Sequence, residues 1–426
     1  MTSNLDTPKK ALLIGVNLNN GEDFEHSMAE LASLTKACHY EPVGIITQNM
    51  PVVHTALYIG TGKVAEVKET AQLLEADLLI FDNALTPTQL RNLQDELSLP
   101  IFDRTYLILE IFKERARTGE SKLQVELASL QYMLPRLVGM RTSLGRQGGA
   151  SGSLSNKGAG EKKLELDRRH IEHRISELKK DLEQITKDRN TQRKKRQESS
   201  LPKVSLVGYT NAGKSTLMNA FLDSCGQTEE KKVLEQDMLF ATLDTTVRKI
   251  SFENNRSFLL ADTVGFIDKL PHSLVKAFRS TLEEVKYADL LLEVIDYSDE
   301  NYKEHMQVTS ETLKELDAGH IPVLYIFNKA DRVMDSSLLP KIIDNRIYMS
   351  AKNQIGLKEL TETIQKLLFS SNIDCTMCIP YDSGNITSYL LETATVRSTT
   401  YQPEGVYLEL NLRQQDYEKY KHYCIN

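Results

Sequence analysis

The sequence of 426 residues predicts a multidomain α/β fold, and three observations support this fold class. Short apolar runs alternate with amphipathic segments in two separate regions, which is typical of parallel sheets with crossover helices. Two long segments with heptad spacing lie between these regions and predict a pair of helices. The length also exceeds what one hydrophobic core usually supports, so several domains are expected.

The first predicted domain, residues 1–118, is a nucleotide-binding-like parallel α/β domain. Apolar runs that predict strands alternate with helical segments in the order ALLIGV, EHSMAELASLTKA, PVGII, ALYIG, VAEVKETAQLL, LLIFD, TPTQLRNLQDEL, PIFD and TYLILEIFKERA. Thr86 followed by Pro87 predicts a helix start, because threonine caps helices and proline suits the first helical position. GTGK at Gly60–Lys63 lacks the spacing of a phosphate-binding loop, so we interpret it as the turn that begins VAEVKETAQLL.

The second predicted domain, residues 119–200, is an antiparallel helical hairpin with a linker. One apolar stripe at heptad spacing covers residues 123–137 and a similar stripe covers residues 164–185. The sequence GRQGGASGSLSNKGAG separates them, and we expect it to form the hairpin tip. Basic residues near the tip suit contact with phosphate groups, namely Arg141, Arg146 and Lys157. A solvated coiled-coil spacer is the alternative interpretation of the helices alone.

Two further domains complete the prediction. Residues 201–370 alternate strands and helices again, and residues 371–426 form a small α+β domain with the order strand, helix, strand, strand, helix. The chain has five cysteines, which do not describe a disulfide framework at this length. Cys375 and Cys378 form a CxxC without a second ligand pair, so we interpret them as ordinary strand residues rather than a metal or redox site.

Charge and the start of the chain indicate the cellular setting. The net charge is −7, but residues 141–200 contain sixteen Lys or Arg and nine Asp or Glu, which gives +7 there and −14 elsewhere. A basic segment in an acidic chain indicates a polyanionic partner. The first apolar run has only about eight residues, too short for a signal peptide or a membrane span. We expect a cytoplasmic monomer without stable membrane insertion, and peripheral membrane association stays open.

The segment KVSLVGYTNAGKST predicts a buried strand, a phosphate-binding loop and a helix. Gly208 and Gly213 have the spacing at which backbone amides and a helix N-terminus bind phosphate. Lys214 would reach the β and γ phosphates, and Ser215 would bind magnesium. Asn211 has two open interpretations, a ligand of a monovalent cation such as K⁺ or an ordinary loop residue.

Two later segments predict a response to the γ-phosphate. Thr242 in LFATLDTT offers a hydroxyl that completes magnesium coordination only when a γ-phosphate is bound. Asp262 in DTVGF is suited to hold magnesium through water, and the amide of Gly265 can meet the γ-phosphate. Phe266 stands where many signalling GTPases have the glutamine that orients the attacking water. Slow intrinsic hydrolysis is therefore expected, unless a cation, another side chain or a docked partner positions the water.

The segments VLYIFNKAD and YMSAK predict the site that recognises the base. Asp331 can accept two hydrogen bonds from N1 and N2 of guanine, which adenine cannot supply. Asn328 and Lys329 brace this loop, and the Ala351 amide can donate to the guanine oxygen. Two further residues hold that turn, Ser350 and Lys352.

These motifs together predict a P-loop GTPase domain over residues 201–370, with GTP or GDP and Mg²⁺ as ligands. The predicted catalytic residues are Lys214, Thr242 and Gly265. The predicted metal ligands are Ser215, Thr242 and Asp262. The predicted nucleotide contacts are Gly208, Tyr209, Thr210, Asn211, Ala212, Gly213, Lys214, Ser215, Thr216, Asp262, Thr263, Val264, Gly265, Asn328, Lys329, Asp331, Ser350, Ala351 and Lys352.

The blocks around these motifs resemble the HflX GTPases, a branch near the Obg group of translation-associated GTPases. The blocks are RARTGESKLQVELASLQYMLPRL, GRQGG, GEKKLELDRR, LFATLD, DTVGFIDKLPHSLVKAFRSTLEE, NKAD and SAK. The resemblance implies binding to the large ribosomal subunit, with the hairpin directed toward the peptidyl transferase centre. It also implies splitting of stalled or stressed ribosomes and hydrolysis stimulated by the ribosome. The sequence departs from the family pattern at Ala159, Lys162 and Thr245.

Two other functions stay open. One is a regulatory GTPase that acts on a protein or membrane partner through the hairpin, and weak salt dependence of binding would favour it. The other is an NTP-dependent RNA-remodelling enzyme, which adenine-dependent turnover would indicate. Asp331 argues against the latter as the main activity.

Overall fold

The computed structural model describes residues 8–19, 23–146, 154–197, 201–224, 240, 243, 246–252, 256–269, 285–370 and 372–425. By its internal contacts the chain divides into two compact units. The first unit comprises residues 1–190, 237–244 and 267–280, and the second comprises residues 191–236, 245–266 and 281–426. The described residues form three sheets, and the predicted multidomain α/β fold class is confirmed.

The first unit contains a parallel sheet with the strand order β2-β1-β3-β4. Its strands are β1 (Lys10–Asn17), β2 (Glu41–Asn49), β3 (Leu78–Phe81) and β4 (Ile101–Asp103). Its helices are α1 (Phe24–Ala37), α2 (Thr61–Leu73), α3 (Pro87–Leu97) and α4 (Arg104–Arg115). The central strands β1 and β3 are apolar and almost entirely buried, as expected of a parallel sheet covered by crossover helices.

The predicted start of α3 is confirmed by its capping bonds. The Thr86 hydroxyl accepts a hydrogen bond from the Gln89 amide at 3.2 Å, and the Gln89 side-chain oxygen accepts one from the Thr86 amide at 3.0 Å. This reciprocal capping box satisfies two amides that the helix itself cannot satisfy. Helix α2 begins at Thr61 with Gly60 as its N-cap, so GTGK starts a helix as expected.

The ALYIG run does not form the strand that its apolar character predicted. Residues 56–60 lie in turns, with an isolated bridge between His54 and Tyr58. Tyr58 and Ile59 are nevertheless buried in the core of the first sheet. The run is apolar because this connection covers the sheet, and apolar character alone does not distinguish a strand from a buried turn.

Two long helices follow, α5 (Gly119–Arg146) and α6 (Leu154–Gln197). They pack through apolar side chains, namely Leu123, Leu127, Leu130, Leu134, Ile171, Ile175, Leu178 and Leu182. Arg174 of α6 also pairs with Glu126 of α5 at 2.7 Å. Helix α6 starts earlier than predicted, so residues 154–160 of the expected tip loop are helical. Residues 147–153 of the tip lie outside the described residues.

The second unit contains a seven-stranded sheet with the order β10-β11-β9-β8-β5-β7-β6. Its strands are β5 (Lys203–Val207), β6 (Thr246–Ser251), β7 (Ser257–Asp262), β8 (Leu290–Asp296), β9 (Val323–Asn328), β10 (Lys341–Ile343) and β11 (Arg346–Tyr348). Helices around it include α7 (Lys214–Ser224), α8 (Tyr302–Glu315) and α9 (Leu357–Phe369). The edge strands β6 and β10 are antiparallel to their neighbours, and the other pairs are parallel.

The end of the chain forms an antiparallel sheet with the order β12-β14-β13. The elements are β12 (Ile373–Ile379), α10 (Gly384–Thr393), β13 (Thr395–Gln402), β14 (Gly405–Leu412) and α11 (Gln414–Tyr420), in the predicted order. Cys375 and Cys378 both lie in β12, and side chains three residues apart in a strand point to opposite faces. Among the described residues, no helix is long and apolar enough to cross a membrane.

Candidate nucleotide-binding site

The carboxyl ends of neighbouring parallel strands bring the predicted motifs together. Strand β5 lies between β7 and β8, and β9 pairs with β8. The phosphate-binding loop follows β5, the DTVGF loop follows β7, and the NKAD segment follows β9. Loops that follow parallel strands emerge at one edge of the sheet, which is where open α/β sheets bind ligands.

The backbone of the phosphate-binding loop requires both of its glycines. Gly208 has a φ of +134° and Gly213 has a φ of +96°. Residues other than glycine rarely adopt these φ angles. A Cβ atom at Gly208 would collide with the backbone oxygen of Val294, and one at Gly213 would collide with the side-chain amide of Asn328. The loop therefore packs closely against the ends of β8 and β9.

Lys214 begins α7 and is only 6% exposed. Its Nζ atom donates hydrogen bonds to the backbone oxygens of Gly208 at 2.9 Å and Tyr209 at 2.7 Å. Burial lowers the pKa of Lys214 to about 8, and the nearby charge of Asp262 offsets this only in part. A phosphate group would replace the two carbonyl oxygens as the partner of this ammonium group.

Two of the three predicted magnesium ligands meet in the structure. The Ser215 hydroxyl donates a hydrogen bond to Oδ2 of Asp262 at 2.9 Å, and Asp262 is fully buried. A hydroxyl and a carboxylate are hard oxygen ligands of the kind that Mg²⁺ prefers, so this donor pair fits the ion. The third predicted ligand, Thr242, lies outside the described residues.

The DTVGF loop bonds directly to the phosphate-binding loop. The Thr210 amide donates to the Phe266 oxygen at 2.7 Å, and the Phe266 amide donates to the Gly208 oxygen at 3.1 Å. A Cβ atom at Gly265 would lie 2.7 Å from Cα of Thr210 and 3.0 Å from Nζ of Lys214, so only glycine fits there. The position at which Gly265 would meet a γ-phosphate thus adjoins the lysine that would bind the same group.

The ring of Phe266 is 2% exposed and therefore packs in the interior. An apolar buried ring has no group with which to orient a water molecule. The sequence-based expectation that this residue cannot replace a catalytic glutamine agrees with its placement.

Asn328 links the phosphate-binding loop to the predicted base site. Its Nδ2 atom donates to the Ala212 oxygen at 2.9 Å, and its Oδ1 atom accepts from the Ala351 amide at 2.9 Å. Lys329 adopts a left-handed conformation with a φ of +59°, and its Nζ atom donates to the Asn211 oxygen at 2.9 Å. The expectation that these two residues brace the loop therefore agrees with the geometry.

The two residues predicted to contact guanine have partners within the protein. Asp331 accepts a hydrogen bond from Nδ2 of Asn353 at 2.9 Å, and the Ala351 amide donates to Asn328. Guanine would share or replace these bonds. Ser350 is buried and its hydroxyl accepts from the Asn353 amide at 3.3 Å, whereas Lys352 is exposed.

Sequence reasoning missed three supporting residues. Asp296 pairs with Lys329 at 2.7 Å, Asn353 holds Asp331, and His305 stacks on Tyr209 with ring centroids 3.9 Å apart. Asp296 could have been found, because it ends β8 beside the end of β9 in parallel register. The stacking of His305 depends on how α8 packs and has no local signal in the sequence.

Three stretches of the chain match known protein families. They are described as GTP-binding GTPase N-terminal over residues 25–113, GTP-binding GTPase Middle Region over residues 115–196 and 50S ribosome-binding GTPase over residues 203–329.

Individual relatives match nearly the whole chain. A GTPase HflX of Caldanaerobacter subterraneus is 42% identical over 418 residues, which cover 98% of this chain and 94% of the relative. The GTPase HflX of Escherichia coli is 37% identical over 411 residues, which cover 95% and 93%. A crystal structure of a GTP-binding protein from Sulfolobus solfataricus in complex with GDP aligns at 27% identity and a TM-score of 0.42, over 84% of this chain and 98% of that chain.

Proposed function

The chain belongs to the HflX family of GTPases, and from this premise we propose that it binds the large ribosomal subunit and splits stalled or stressed ribosomes. The observation that carries the proposal is the joint presence of a nucleotide site and a basic helical hairpin in one chain. The family relationship extends over both parts. A chain that combines a GTP-binding switch with an RNA-contacting element suits a factor whose affinity for ribosomes depends on the bound nucleotide. Such a factor associates with the ribosome in one nucleotide state and dissociates from it in another.

The hairpin would supply the contact with ribosomal RNA. Its helices are joined by an apolar core and by the Arg174–Glu126 pair, so they form one packed element. Residues 141–200 carry a net charge of +7, which favours contact with phosphate groups. Such contacts are largely independent of base sequence and therefore depend steeply on salt concentration.

The protein would accelerate hydrolysis by positioning the phosphates and by stabilising the negative charge on their oxygens. Lys214 would neutralise the β and γ phosphates, and the Gly265 amide would hold the γ-phosphate. Ser215, Thr242 and Asp262 would hold Mg²⁺, whose charge polarises the phosphate oxygens. Asn211 would bind K⁺ beside the phosphates in the same proposal.

The buried Phe266 leaves the attacking water without a glutamine to orient it. The large subunit, or K⁺ held near Asn211, would supply this missing contribution, so the ribosome would both bind the protein and activate it. This role places the protein in the cytoplasm as a monomer. The proposal includes four domains, which comprise residues 1–118, 119–200, 201–370 and 371–426.

The test is steady-state GTP hydrolysis by the purified protein, alone and with purified 50S subunits, in potassium and in sodium buffer. We expect a large increase in turnover with 50S subunits, together with separation of 70S ribosomes into subunits on sucrose gradients. Lys214→Ala is the negative control and should hydrolyse no GTP under any of these conditions.

The outcomes separate the open alternatives. If 50S subunits change neither turnover nor sedimentation while GTP still binds, the ribosomal role is wrong and a protein partner becomes the better proposal. If 50S binding occurs but 70S ribosomes stay intact, the protein binds ribosomes without splitting them. A requirement for potassium would support Asn211 as a ligand of K⁺.

A further inference from the structure

The rings of Tyr209 and His305 form a stack beside the phosphate-binding loop. Their centroids are 3.9 Å apart, and their planes lie within 12° of parallel. Tyr209 is 6% exposed and His305 is 8% exposed, and both residues belong to the second unit. Tyr209 is the second residue of the loop, whereas His305 belongs to none of the nucleotide-binding motifs. The stack therefore joins the loop to an element outside these motifs.

Helix α8 holds His305 in place through its buried face. That face consists of His305, Thr309 and Leu313, whose spacing of four residues places them on one side of the helix. The His305 amide donates a hydrogen bond to the Asn301 oxygen at 3.2 Å, and the His305 oxygen accepts one from the Thr309 hydroxyl at 2.8 Å. The backbone that carries the imidazole ring is thus bonded on both sides of the residue.

The backbone beside the Tyr209 ring contacts two parts of the nucleotide site. The Tyr209 oxygen accepts a hydrogen bond from Nζ of Lys214 at 2.7 Å. The amide of the next residue, Thr210, donates to the Phe266 oxygen at 2.7 Å. A Cβ atom at Gly265 would lie 2.7 Å from Cα of Thr210. The peptide between Tyr209 and Thr210 therefore adjoins the position at which Gly265 would meet a γ-phosphate.

These two hydrogen bonds depend on the orientation of a single group of atoms. The Tyr209 oxygen and the Thr210 amide belong to one peptide unit, which is planar, so they turn together. Apart from an isolated bridge between Tyr209 and Phe266, residues 208–213 form neither helix nor strand. The packing of the Tyr209 ring on His305 therefore contributes to fixing this peptide plane. A displacement of about 1 Å near reacting groups can lower a rate on the order of 100-fold.

We propose that His305 is a positioning residue for GTP hydrolysis, which acts by stacking on Tyr209 and so fixing the peptide plane beside the γ-phosphate. GDP has no γ-phosphate, and the loop amides that bind its phosphates lie further along toward the N-terminus of α7. The stack therefore affects the hydrolysis step more than the affinity for GDP. The inference rests on the proposed placement of the γ-phosphate beside Gly265 and is independent of the ribosomal role.

The test compares hydrolysis with GDP affinity in the full chain without ribosomes. Hydrolysis of GTP is measured under single-turnover conditions with saturating protein, and affinity is measured by titration with fluorescent mant-GDP. We expect His305→Ala to lower the hydrolysis rate about 5-fold or more, because the ring contact and the position of the peptide are both lost. The affinity for mant-GDP should change less than about 2-fold.

Two further variants distinguish a stacking ring from a space-filling side chain. His305→Phe keeps a flat ring and should retain at least about half of the parent rate. His305→Leu fills the same space without a flat ring and should be as slow as His305→Ala. Because both variants keep the interior filled, their comparison stays decisive if His305→Ala folds poorly.

Two controls show whether the effect passes through Tyr209. Glu304→Ala changes the exposed neighbour of His305 on α8 and should alter neither the rate nor the affinity. Tyr209→Ala removes the other ring of the stack. The double variant Tyr209→Ala/His305→Ala should be no slower than Tyr209→Ala, because the two residues contribute through one shared contact.

The contrary results are equally definite. Parent rates in His305→Ala and His305→Leu would show that the stack does not position the loop. An equal loss of rate and of mant-GDP affinity would mean that His305 supports the fold of the site instead. A rate for His305→Phe as low as that for His305→Leu would exclude stacking as the cause.

Gly265→Ala separates this inference from the placement of the γ-phosphate on which it rests. Its added Cβ atom would lie 2.7 Å from Cα of Thr210, so the variant should hydrolyse GTP slowly. Hydrolysis by Gly265→Ala at the parent rate would contradict the placement itself. Slow hydrolysis by Gly265→Ala together with parent rates in the His305 variants would refute the stack alone.

Discussion

Glu293 offers a quantitative test of the electrostatics of the second sheet. It lies within β8, opposite Val207 of β5 and Tyr325 of β9, and is 3% exposed. Its Oε1 atom has no hydrogen-bond partner among the residues that the structure describes. Burial raises the pKa of Glu293 from 4.5 to about 8. The folded protein therefore holds this carboxyl group neutral at pH values where the unfolded chain ionises it.

The sign of the pH dependence follows from this difference. Below about pH 4.5 the group is protonated in both states and has no effect on stability. Between about pH 4.5 and 8 only the unfolded chain releases the proton, so stability falls as pH rises. At 1.36 kcal/mol per pKa unit, the cost to stability reaches about 4 kcal/mol near pH 8. Replacement of Glu293 by glutamine removes the ionisable group and keeps the shape and the unpaired oxygen.

We expect Glu293→Gln to raise the local opening free energy by up to about 4 kcal/mol near pH 8 and to change it little near pH 5. Hydrogen exchange of peptides from β8 and β9, followed by mass spectrometry, measures the opening free energy of these strands. The method does not require two-state unfolding of a multidomain chain. Exposed Glu362→Gln on α9 is the matched control. Equal effects of Glu293→Gln at both pH values, or a loss of stability near pH 8, would refute the reasoning.

Three further predictions concern the nucleotide site. Asp331→Asn should shift base preference from guanine toward xanthine by about two orders of magnitude or more, measured by competition between GTP and XTP; unchanged preference would remove Asp331 from base recognition. Nucleotide binding should take up roughly half a proton or more near pH 8.5, because phosphate raises the lowered pKa of Lys214. Binding near pH 6.5 should take up almost no proton. Calorimetry in buffers of different ionisation enthalpy measures the number of protons taken up. Asn328→Ala leaves the Ala212 oxygen and the Ala351 amide without their partner, so affinity for GTP and GDP should fall together by about 10-fold or more, and a loss confined to GTP would contradict the bracing role.

Patterns within a few residues were enough to predict much of this molecule. Thr86 and Pro87 marked the start of α3 because capping and proline geometry are local effects. The glycine spacing of the phosphate-binding loop indicated its backbone shape for the same reason. The order of elements in the last sheet followed from alternation of apolar runs and turns. Each of these features depends on dihedral preferences and side-chain periodicity that neighbouring residues decide.

These local rules failed in two places, where a longer-range effect outweighed the preference of the local sequence. ALYIG is apolar because its connection covers the first sheet, although it forms no strand. Residues 154–160 were predicted to be loop because of their glycines, yet they extend α6. Glycine lowers helix stability by only about 1 kcal/mol, which the rest of a long helix can offset.

The sequence by itself therefore determined the fold class, the family and the motifs that bind a guanine nucleotide. The tertiary structure alone decided which residues support those motifs. Asn353 holds the predicted base-recognition residue Asp331, and Lys269 pairs with Asp82, far away in the sequence. Such pairings have no local signal, because a lysine or asparagine that makes one cannot be distinguished in the sequence from one that does not. Their energy comes from charges and hydrogen bonds that only folding brings out of water.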